Sequence, residues 1–217
     1  MDFEAARKHM VDSQVRTNDV TDLRILNALE TLPRERFMPA EMRALAYVDR
    51  ELRYAEARAL PTARDFAKLL AALDIGPADL VLDVACGAGY STAVLAMLCE
   101  MVVAIEDDEA LVQRAQEALN ECGAVNAAVV TGDPRAGAAK QGPFDVIVLA
   151  HSIEVEPTAL LEQLKDGGRL GAFFRRGGVT KGALWRRSGA AFAMVEIFDA
   201  SSRTVLDGFT QPKSFVF

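Results

Sequence analysis

The sequence predicts an α/β fold in which a mostly parallel sheet carries helices on both faces and follows a helical cap. Two observations favour this fold. From residue 80 onward, short apolar runs alternate with helical segments, a pattern typical of a parallel sheet covered by helices. Before residue 75, apolar residues recur with helical spacing instead. The 217 residues suffice for one domain, with 1–75 as the cap and 76–217 as the core.

Composition and charge limit the possible functions. The net charge of −7 argues against a surface devoted to nucleic acid, because that binding depends on neutralising phosphates. No apolar stretch approaches the ~20 residues of a membrane-spanning helix, and the first residues lack a signal-peptide core, so we expect a cytoplasmic protein. Three cysteines without a Cys-x-x-Cys pair, beside only two histidines, predict neither a disulfide framework nor a metal site. The oligomeric state is left open.

The cap divides into helical and extended parts. Thr21 or Asp22 suits the N-cap of a second helix, and Pro33 is expected to end that helix. The predicted parts are, in order, a helical region over 3–27 broken at 17–19, a charged extended stretch over 39–58, and an amphipathic helix over 62–73.

The core alternates strands with helices. Parallel strands are predicted over 80–84, 101–105, 127–130, 144–149 and 169–174, with helices over 90–98, 109–120 and 157–164 between them. The remainder predicts antiparallel strands over 183–186, 192–198 and 213–217.

The strongest functional signal is the turn after the first core strand, Val81-Leu82-Asp83-Val84-Ala85-Cys86-Gly87-Ala88-Gly89. Gly87 and Gly89 lack Cβ atoms, so the chain can turn sharply and a ligand can approach its backbone closely. The helix that begins at Tyr90 directs free N–H groups toward the same place. This arrangement predicts a site for a nucleotide-like cofactor.

Dinucleotides and S-adenosyl-L-methionine both bind to turns of this kind. The dinucleotide fingerprint requires a third glycine that this turn lacks. Asp83 would repel a pyrophosphate but attracts the cationic amino and sulfonium end of S-adenosyl-L-methionine. We therefore predict S-adenosyl-L-methionine, held by the following set: Asp83, Ala85, Cys86, Gly87, Gly89, Glu106, Asp107 and Asp133.

Two acidic residues in that set have alternative roles. Glu106, at the end of the second strand, suits the ribose hydroxyls, although with Asp107 it also suits the start of the next helix. Asp133, after the third strand, suits the adenine amino group, but is also an ordinary turn residue.

With these residues in view, the chain resembles the protein-L-isoaspartate O-methyltransferase family over most of residues 10–170. Its more specific motifs are Met10-Val11-Asp12-Ser13-Gln14-Val15-Arg16, Leu32-Pro33-Arg34-Glu35-Arg36-Phe37-Met38-Pro39 and Ala46-Tyr47-Val48-Asp49. The resemblance implies a Rossmann-like methyltransferase fold and methylation of isoaspartyl residues in damaged protein, with S-adenosyl-L-methionine as the methyl donor.

The sequence departs from the family at two places. Ala85 stands where the family usually has glycine. The family's Gly-Gln-Thr-Ile-Ser-Gln-Pro segment is replaced, so that Pro61 falls at the serine position and only Thr62 offers a hydroxyl. Thr62 is therefore the predicted catalytic residue, with the further candidates Arg58 and Arg64, to hold a carboxylate, and His151, after the fourth strand.

Three hypotheses follow from the sequence. The first is an isoaspartyl methyltransferase. The second is a paralogue that binds S-adenosyl-L-methionine but acts on another acceptor or as a sensor. The third is a small dinucleotide-dependent oxidoreductase, which the missing glycine disfavours.

Overall fold

A seven-stranded sheet organises the chain in a computed structural model that describes residues 2–212. Its strands are β3 Leu80–Val84, β4 Met101–Glu106, β5 Ala127–Thr131, β6 Phe144–Ile153, β7 Leu164–Arg176, β8 Val179–Ser188 and β9 Ala191–Asp199. Their order is β5-β4-β3-β6-β7-β8-β9. Strands β3 to β7 are mutually parallel, whereas β8 and β9 are antiparallel to their neighbours. The predicted α/β fold with a mostly parallel sheet is confirmed, and the predicted strand over 213–217 lies outside the described residues.

Helices cover the sheet and lie between its strands. They are α3 Ala63–Leu73, α4 Tyr90–Ala96, α5 Glu109–Glu121 and the short α6 Thr158–Leu161. Alternate residues of β3 point to opposite faces, so Val81 joins one hydrophobic cluster and Leu82 joins another. On the first face α3 packs so closely on β7 that a Cβ at Gly171 would lie 2.9 Å from Leu73 Cδ1. Because α3 packs directly on the sheet, the cap is continuous with the core, and the division at residue 75 stays a prediction.

The cap begins with two helices, α1 Phe3–Met10 and α2 Leu23–Thr31. Of the two predicted N-cap residues, Asp22 is the one that caps α2, because its side chain accepts a hydrogen bond from the backbone N–H of Arg24. The helical region before it breaks at Asp19, which adopts a left-handed φ of 64°. The helix break predicted at 17–19 is therefore confirmed.

The sequence predicts an extended stretch over residues 39–58, but the structure forms a turn and a hairpin there. The stretch contains a 3₁₀ turn, Ala40–Leu45, and then strand β1, Leu52–Ala55, which pairs antiparallel with β2, Arg58–Leu60. We call residues Leu52–Leu60 the β1–β2 hairpin. The alternation of apolar and polar residues does not reveal this hairpin. Charged residues occur on both of its strands, and one of them, Arg58, points inward.

No helix among residues 2–212 combines the length and the apolar character needed to cross a bilayer.

The cap is tied to the core by Arg34, a buried cation. Its Nε donates to the carbonyl of Ala46 at 2.9 Å and its Nη2 donates to the carbonyl of Pro61 at 2.6 Å. Its guanidinium also lies over the ring of Tyr90, 4.8 Å from the ring centroid. Arg34 thus positions the segment that follows the hairpin.

Replacing Arg34 by alanine should lower the free energy of unfolding by about 3 kcal/mol, because two buried carbonyls lose charged donors. Urea denaturation measures this loss. Arg36→Ala is the matched control, since Arg36 lies on the same turn but forms an exposed pair with Glu121. The control should change stability by less than about 0.5 kcal/mol. Equal losses in the two variants would contradict the anchoring role of Arg34.

Candidate cofactor-binding site

The predicted cofactor residues meet at the carboxyl edge of the sheet, where β3 lies between β4 and β6. The chain leaves β4 and β6 on opposite sides of β3, so a crevice opens at this point, and ligands of such sheets bind there. Asp83 is the penultimate residue of β3, Glu106 ends β4 and Asp133 follows β5. The topology therefore brings together three acidic residues that the sequence keeps far apart.

The turn between β3 and α4 has the backbone of a ligand-binding loop. Gly87 and Gly89 adopt φ angles of 57° and 90°, in the left-handed region that favours glycine. Ala85 also adopts a positive φ, 57°, at the place where the sequence departs from the family's glycine. The alanine therefore keeps the left-handed backbone and carries the strain of its methyl group.

Asp83 is a buried carboxylate with one free oxygen. Its Oδ2 accepts hydrogen bonds from Ser91 Oγ and Thr92 Oγ1, both at 2.7 Å. Its Oδ1 has no hydrogen-bond partner among residues 2–212. Burial raises the pKa of Asp83 to about 7, against the two hydroxyls, which lower it. A cation placed at Oδ1 would stabilise the ionised form.

Glu106 is fully buried and its carboxylate is saturated. Arg58 binds it through two parallel hydrogen bonds, Nε to Oε2 at 2.8 Å and Nη2 to Oε1 at 2.7 Å. Three backbone N–H groups complete the set, from Gly87 at 2.8 Å, Asp107 at 3.0 Å and Asp108 at 3.1 Å. Burial alone would raise the pKa of Glu106, but the hydrogen bonds and charge of Arg58 outweigh it and lower the pKa.

Tyr54 lies directly over the glycine turn. Its hydroxyl oxygen accepts a hydrogen bond from the backbone N–H of Ala88 at 3.3 Å. A Cβ built on Gly87 would stand only 1.8 Å from that oxygen. The close approach that glycine permits at this position is therefore made by a side chain of the same chain.

A small cavity lies beneath the hairpin, which we call the His151 cavity. Its volume is about 10 Å³, and it is lined by Tyr54, Ala59, Leu60, Pro61, Phe66, Cys86, Tyr90, Ser91, Ala150 and His151. Both ring nitrogens of His151 lack hydrogen-bond partners in the described part of the chain. Burial, followed by the charge of Arg58, lowers the pKa of His151 to about 3, so the ring is neutral. Burial likewise raises the pKa of the Cys86 thiol.

A larger cavity opens around Asp133, which we call the Asp133 cavity. Its volume is about 530 Å³, and it is lined by Asp107, Thr131, Gly132, Asp133, Pro134, Arg135, Asp207 and Gly208. Asp133 here forms an exposed ion pair with Arg135, at 2.8 Å between Oδ2 and Nη2. Such exposed pairs contribute little stability, so Asp133 remains available to a ligand.

The structure places the side chain of Thr62 outside the His151 cavity. Its Oγ1 accepts the backbone N–H of Asp65 at 3.1 Å and so caps α3. Thr62 is 3% exposed and lines a third cavity, of about 460 Å³, with Asp49, Arg50, Glu51, Arg64, Ser201 and Arg203. We call this the Thr62 cavity. The catalytic role of Thr62 stays a prediction.

The two arginines that the sequence offered as carboxylate ligands have partners within the chain. Arg58 is 4% exposed and binds Glu106, so it is not free to hold a substrate carboxylate. Arg64 pairs with Asp65 at 2.6 Å, although a third of its side chain stays exposed to the Thr62 cavity. Sequence analysis missed Tyr54 altogether, because an aromatic residue in a charged stretch carries no signal for its position over the turn.

Comparison with known proteins identifies one family. The model of the family described as protein-L-isoaspartate(D-aspartate) O-methyltransferase matches residues 5–174. The chain is 39% identical over 168 residues to the protein-L-isoaspartate O-methyltransferase of Koribacter versatilis (strain Ellin345), covering 77% of this chain and 76% of that protein. It is 37% identical over 164 residues to the protein of the same name from Opitutus terrae, covering 76% and 70% of the two chains.

Solved structures share the fold. One protein-L-isoaspartate O-methyltransferase superimposes with a TM-score of 0.80 at 21% identity, covering 93% of this chain and 66% of that longer one. A putative protein-L-isoaspartate O-methyltransferase of Plasmodium falciparum, in complex with S-adenosyl-L-homocysteine, superimposes with a TM-score of 0.78 at 17% identity, covering 92% and 97%.

The pKa of Asp83 predicts a pH-dependent stability. Because its folded-state pKa is raised from 3.8 to about 7, the native state binds the proton more tightly than the unfolded state does. The contribution to stability is fully present below about pH 4 and is lost as the pH rises to 7. The shift corresponds to at most about 4 kcal/mol.

Asp83→Asn keeps the shape of the side chain and removes the charge. Urea denaturation at pH 5 to 8 should show the variant gaining stability relative to wild type as pH rises, with the difference levelling off above pH 7. Asp133→Asn is the control, since the pKa of Asp133 is lowered by Arg135 and does not change ionisation in this range. A difference between Asp83→Asn and wild type that stays constant with pH would refute the prediction.

Proposed function

This chain belongs to the protein-L-isoaspartate(D-aspartate) O-methyltransferase family, and on that premise we propose that it methylates the free carboxylate of isoaspartyl residues in damaged proteins, with S-adenosyl-L-methionine as its cofactor. The observation that supports this proposal is the conjunction of the left-handed turn at Gly87 and Gly89 with Asp83, Glu106 and Asp133 at one sheet edge. Three unpaired thiols suit the reducing cytoplasm, where we place the reaction.

The residues of the turn fit the adenosyl cofactor in chemistry. The unpartnered Oδ1 of Asp83 is a buried anionic acceptor without a donor, which suits a cationic amino group. The carboxylate of Glu106 has the bidentate geometry that suits two ribose hydroxyls once Arg58 has moved aside. Asp133 offers an acceptor in a cavity of about 530 Å³, within the range of small-molecule sites.

When bound, S-adenosyl-L-methionine would supply a methyl carbon that a carboxylate oxygen can attack in line, so that an oxygen–methyl bond forms, the sulfur–methyl bond breaks and S-adenosyl-L-homocysteine leaves as a neutral thioether. The attacking carboxylate is already charged, so no strong general base is needed. Positioning then supplies most of the rate. The lowered pKa of His151 keeps its ring neutral near neutral pH, so the ring adds no positive charge beside the cationic sulfonium.

The Thr62 cavity is the proposed site of the acceptor. Thr62 Oγ1 accepts a backbone hydrogen bond, so its own hydroxyl hydrogen can be donated to a substrate carboxylate. Three arginines in the wall of this cavity, Arg50, Arg64 and Arg203, outnumber its two carboxylates, those of Asp49 and Glu51. Pro61, the preceding residue, lines the His151 cavity instead. Consecutive residues therefore face the proposed acceptor and the proposed methyl donor.

The methyltransferase proposal is tested with an isoaspartyl peptide and its aspartyl isomer, incubated with wild-type protein and methyl-labelled S-adenosyl-L-methionine at saturating concentration. We expect a base-labile methyl ester on the isoaspartyl peptide alone. Asp83→Asn should weaken cofactor affinity about tenfold, because it removes the buried charge. Saturable cofactor binding without ester formation would overturn the proposal and favour a paralogue that acts on another acceptor.

The role of Thr62 is tested by two variants. Thr62→Ser keeps the hydroxyl and should retain activity. Thr62→Val should lower stability by about 1 kcal/mol through loss of the helix cap, and should lower kcat on the order of 10²-fold through loss of the donor. Rates are measured at a temperature at which both variants are fully folded. An unchanged kcat for Thr62→Val would restrict Thr62 to capping α3.

A further inference from the structure

We propose that the β1–β2 hairpin is an intramolecular plug, which fills the cofactor cleft with Tyr54 and Arg58 and must swing out before S-adenosyl-L-methionine binds. The inference rests on the proposed cofactor and concerns how access to its site is controlled. Both plugging side chains come from the hairpin, and both act on residues of the glycine turn or of the adjoining strand β4.

Arg58 uses the acceptor that the ribose requires. A carboxylate offers about four lone-pair sites, and Glu106 already accepts five hydrogen bonds, two of them from Arg58. The three backbone donors belong to the turn and to the start of α5 and have no alternative position. The two hydroxyls of a ribose can therefore bind Glu106 only by replacing Arg58.

Tyr54 takes up the space above the turn. The hydroxyl oxygen of Tyr54 lies only 1.8 Å from the position that a Cβ of Gly87 would take. The same oxygen accepts a hydrogen bond from the backbone N–H of Ala88. A ligand that approaches the backbone at Gly87 meets this phenol first. The tyrosine thus blocks the same approach that the glycine makes possible.

The cavity volumes show that the cleft is closed at one end. The Asp133 cavity is open, at about 530 Å³, and an adjoining cavity of about 290 Å³ reaches Arg58 and Asp107. The His151 cavity, under Tyr54, measures about 10 Å³, no more than a single water molecule needs. Small-molecule sites are typically about 300 Å³ or larger. The closed end is the one under Tyr54, whereas Glu56 and Arg58 of the same hairpin line the open cavity of about 290 Å³.

The hairpin can move as a unit. Within residues 2–212 its two strands pair only with each other and form a sheet separate from the seven-stranded one. A lone two-stranded hairpin is marginally stable in water, so its position depends on its side-chain contacts. Those contacts are the hydrogen bonds of Tyr54, the bonds of Arg58 to Glu106 and Asp107, and the burial of Leu52, Ala57, Ala59 and Leu60. Arg53 and Glu56 face solvent.

The plug predicts that substitutions at Tyr54 and Arg58 lower the apparent Kd for the cofactor. When only an open fraction of the protein binds ligand, the apparent Kd is the intrinsic Kd divided by that fraction. Loosening the plug raises the open fraction and tightens binding. If Tyr54 and Arg58 were ligands of the cofactor instead, their removal would weaken binding.

The test compares S-adenosyl-L-methionine affinity by titration calorimetry in wild type, Arg58→Gln and Tyr54→Ala. We expect apparent Kd to fall at least tenfold in both variants. Arg53→Gln is the matched control, because it removes a cation from the same hairpin without touching the cleft, and its Kd should equal that of wild type. An equal or weaker affinity in both plug variants overturns the inference.

Alkylation of Cys86 gives a second readout that does not require cofactor. Cys86 is 5% exposed and lines the His151 cavity, whereas Cys99 is 8% exposed and does not line that cavity. With N-ethylmaleimide and peptide mapping, we expect Cys86 to react at least tenfold faster in both plug variants than in wild type, with Cys99 unchanged. Cys86 reacting as fast in wild type as in the variants overturns the plug.

These readouts separate the plug from the proposed function. Tighter cofactor binding and faster Cys86 alkylation without any isoaspartyl methyl ester would support the plug and refute the proposal that isoaspartyl residues are the methyl acceptor. Ester formation on the isoaspartyl peptide, with unchanged cofactor affinity and unchanged Cys86 alkylation in both plug variants, would support isoaspartyl residues as the acceptor and refute the plug. Because Tyr54→Ala leaves the Arg58–Glu106 pair in place, it also keeps the test decisive if Arg58→Gln fails to fold.

Discussion

The buried ion pair between Arg58 and Glu106 is the interaction on which the site depends. Glu106 ends a central strand in full burial, where an uncompensated carboxylate would be strongly unfavourable. Arg58 supplies the opposite charge, and removing one partner of such a pair typically costs about 3–5 kcal/mol. Because Gly87 donates to the same carboxylate, the pair joins β4, the glycine turn and the β1–β2 hairpin into one unit.

The pKa values of two buried carboxylates in this cleft are shifted in opposite directions, because only one of the carboxylates has a cationic partner. Glu106 has a guanidinium and three backbone donors, so its ionised form is stable and its pKa is lowered. Asp83 has two hydroxyls and no cation, so burial dominates and its pKa rises to about 7. The cleft thus contains one satisfied charge and one acceptor that a cationic ligand would complete.

Residues 49–62, which contain the hairpin and its two flanks, border two different chemical environments. On one side the cleft is apolar and nearly filled, with neutral His151 and the Cys86 thiol. On the other side the Thr62 cavity is open and lined mainly by charged and polar side chains, three of them arginines and two of them acidic. In-line methyl transfer requires donor and acceptor to meet, so the chemistry that we propose needs the hairpin to change position. The weak attachment of a two-stranded hairpin makes such a change physically reasonable.

The sequence by itself determined the α/β fold, the order of its strands along the chain and the glycine turn, because hydrophobic periodicity and glycine positions are local signals. It also predicted Asp83, Glu106 and Asp133 as cofactor ligands, since acidic residues near strand ends are visible in the sequence. Only the tertiary structure decided that Arg58 neutralises Glu106, 48 residues away, and that Tyr54 covers Gly87. Such pairings depend on how a hairpin packs across the sheet edge, and local patterns carry no record of that packing.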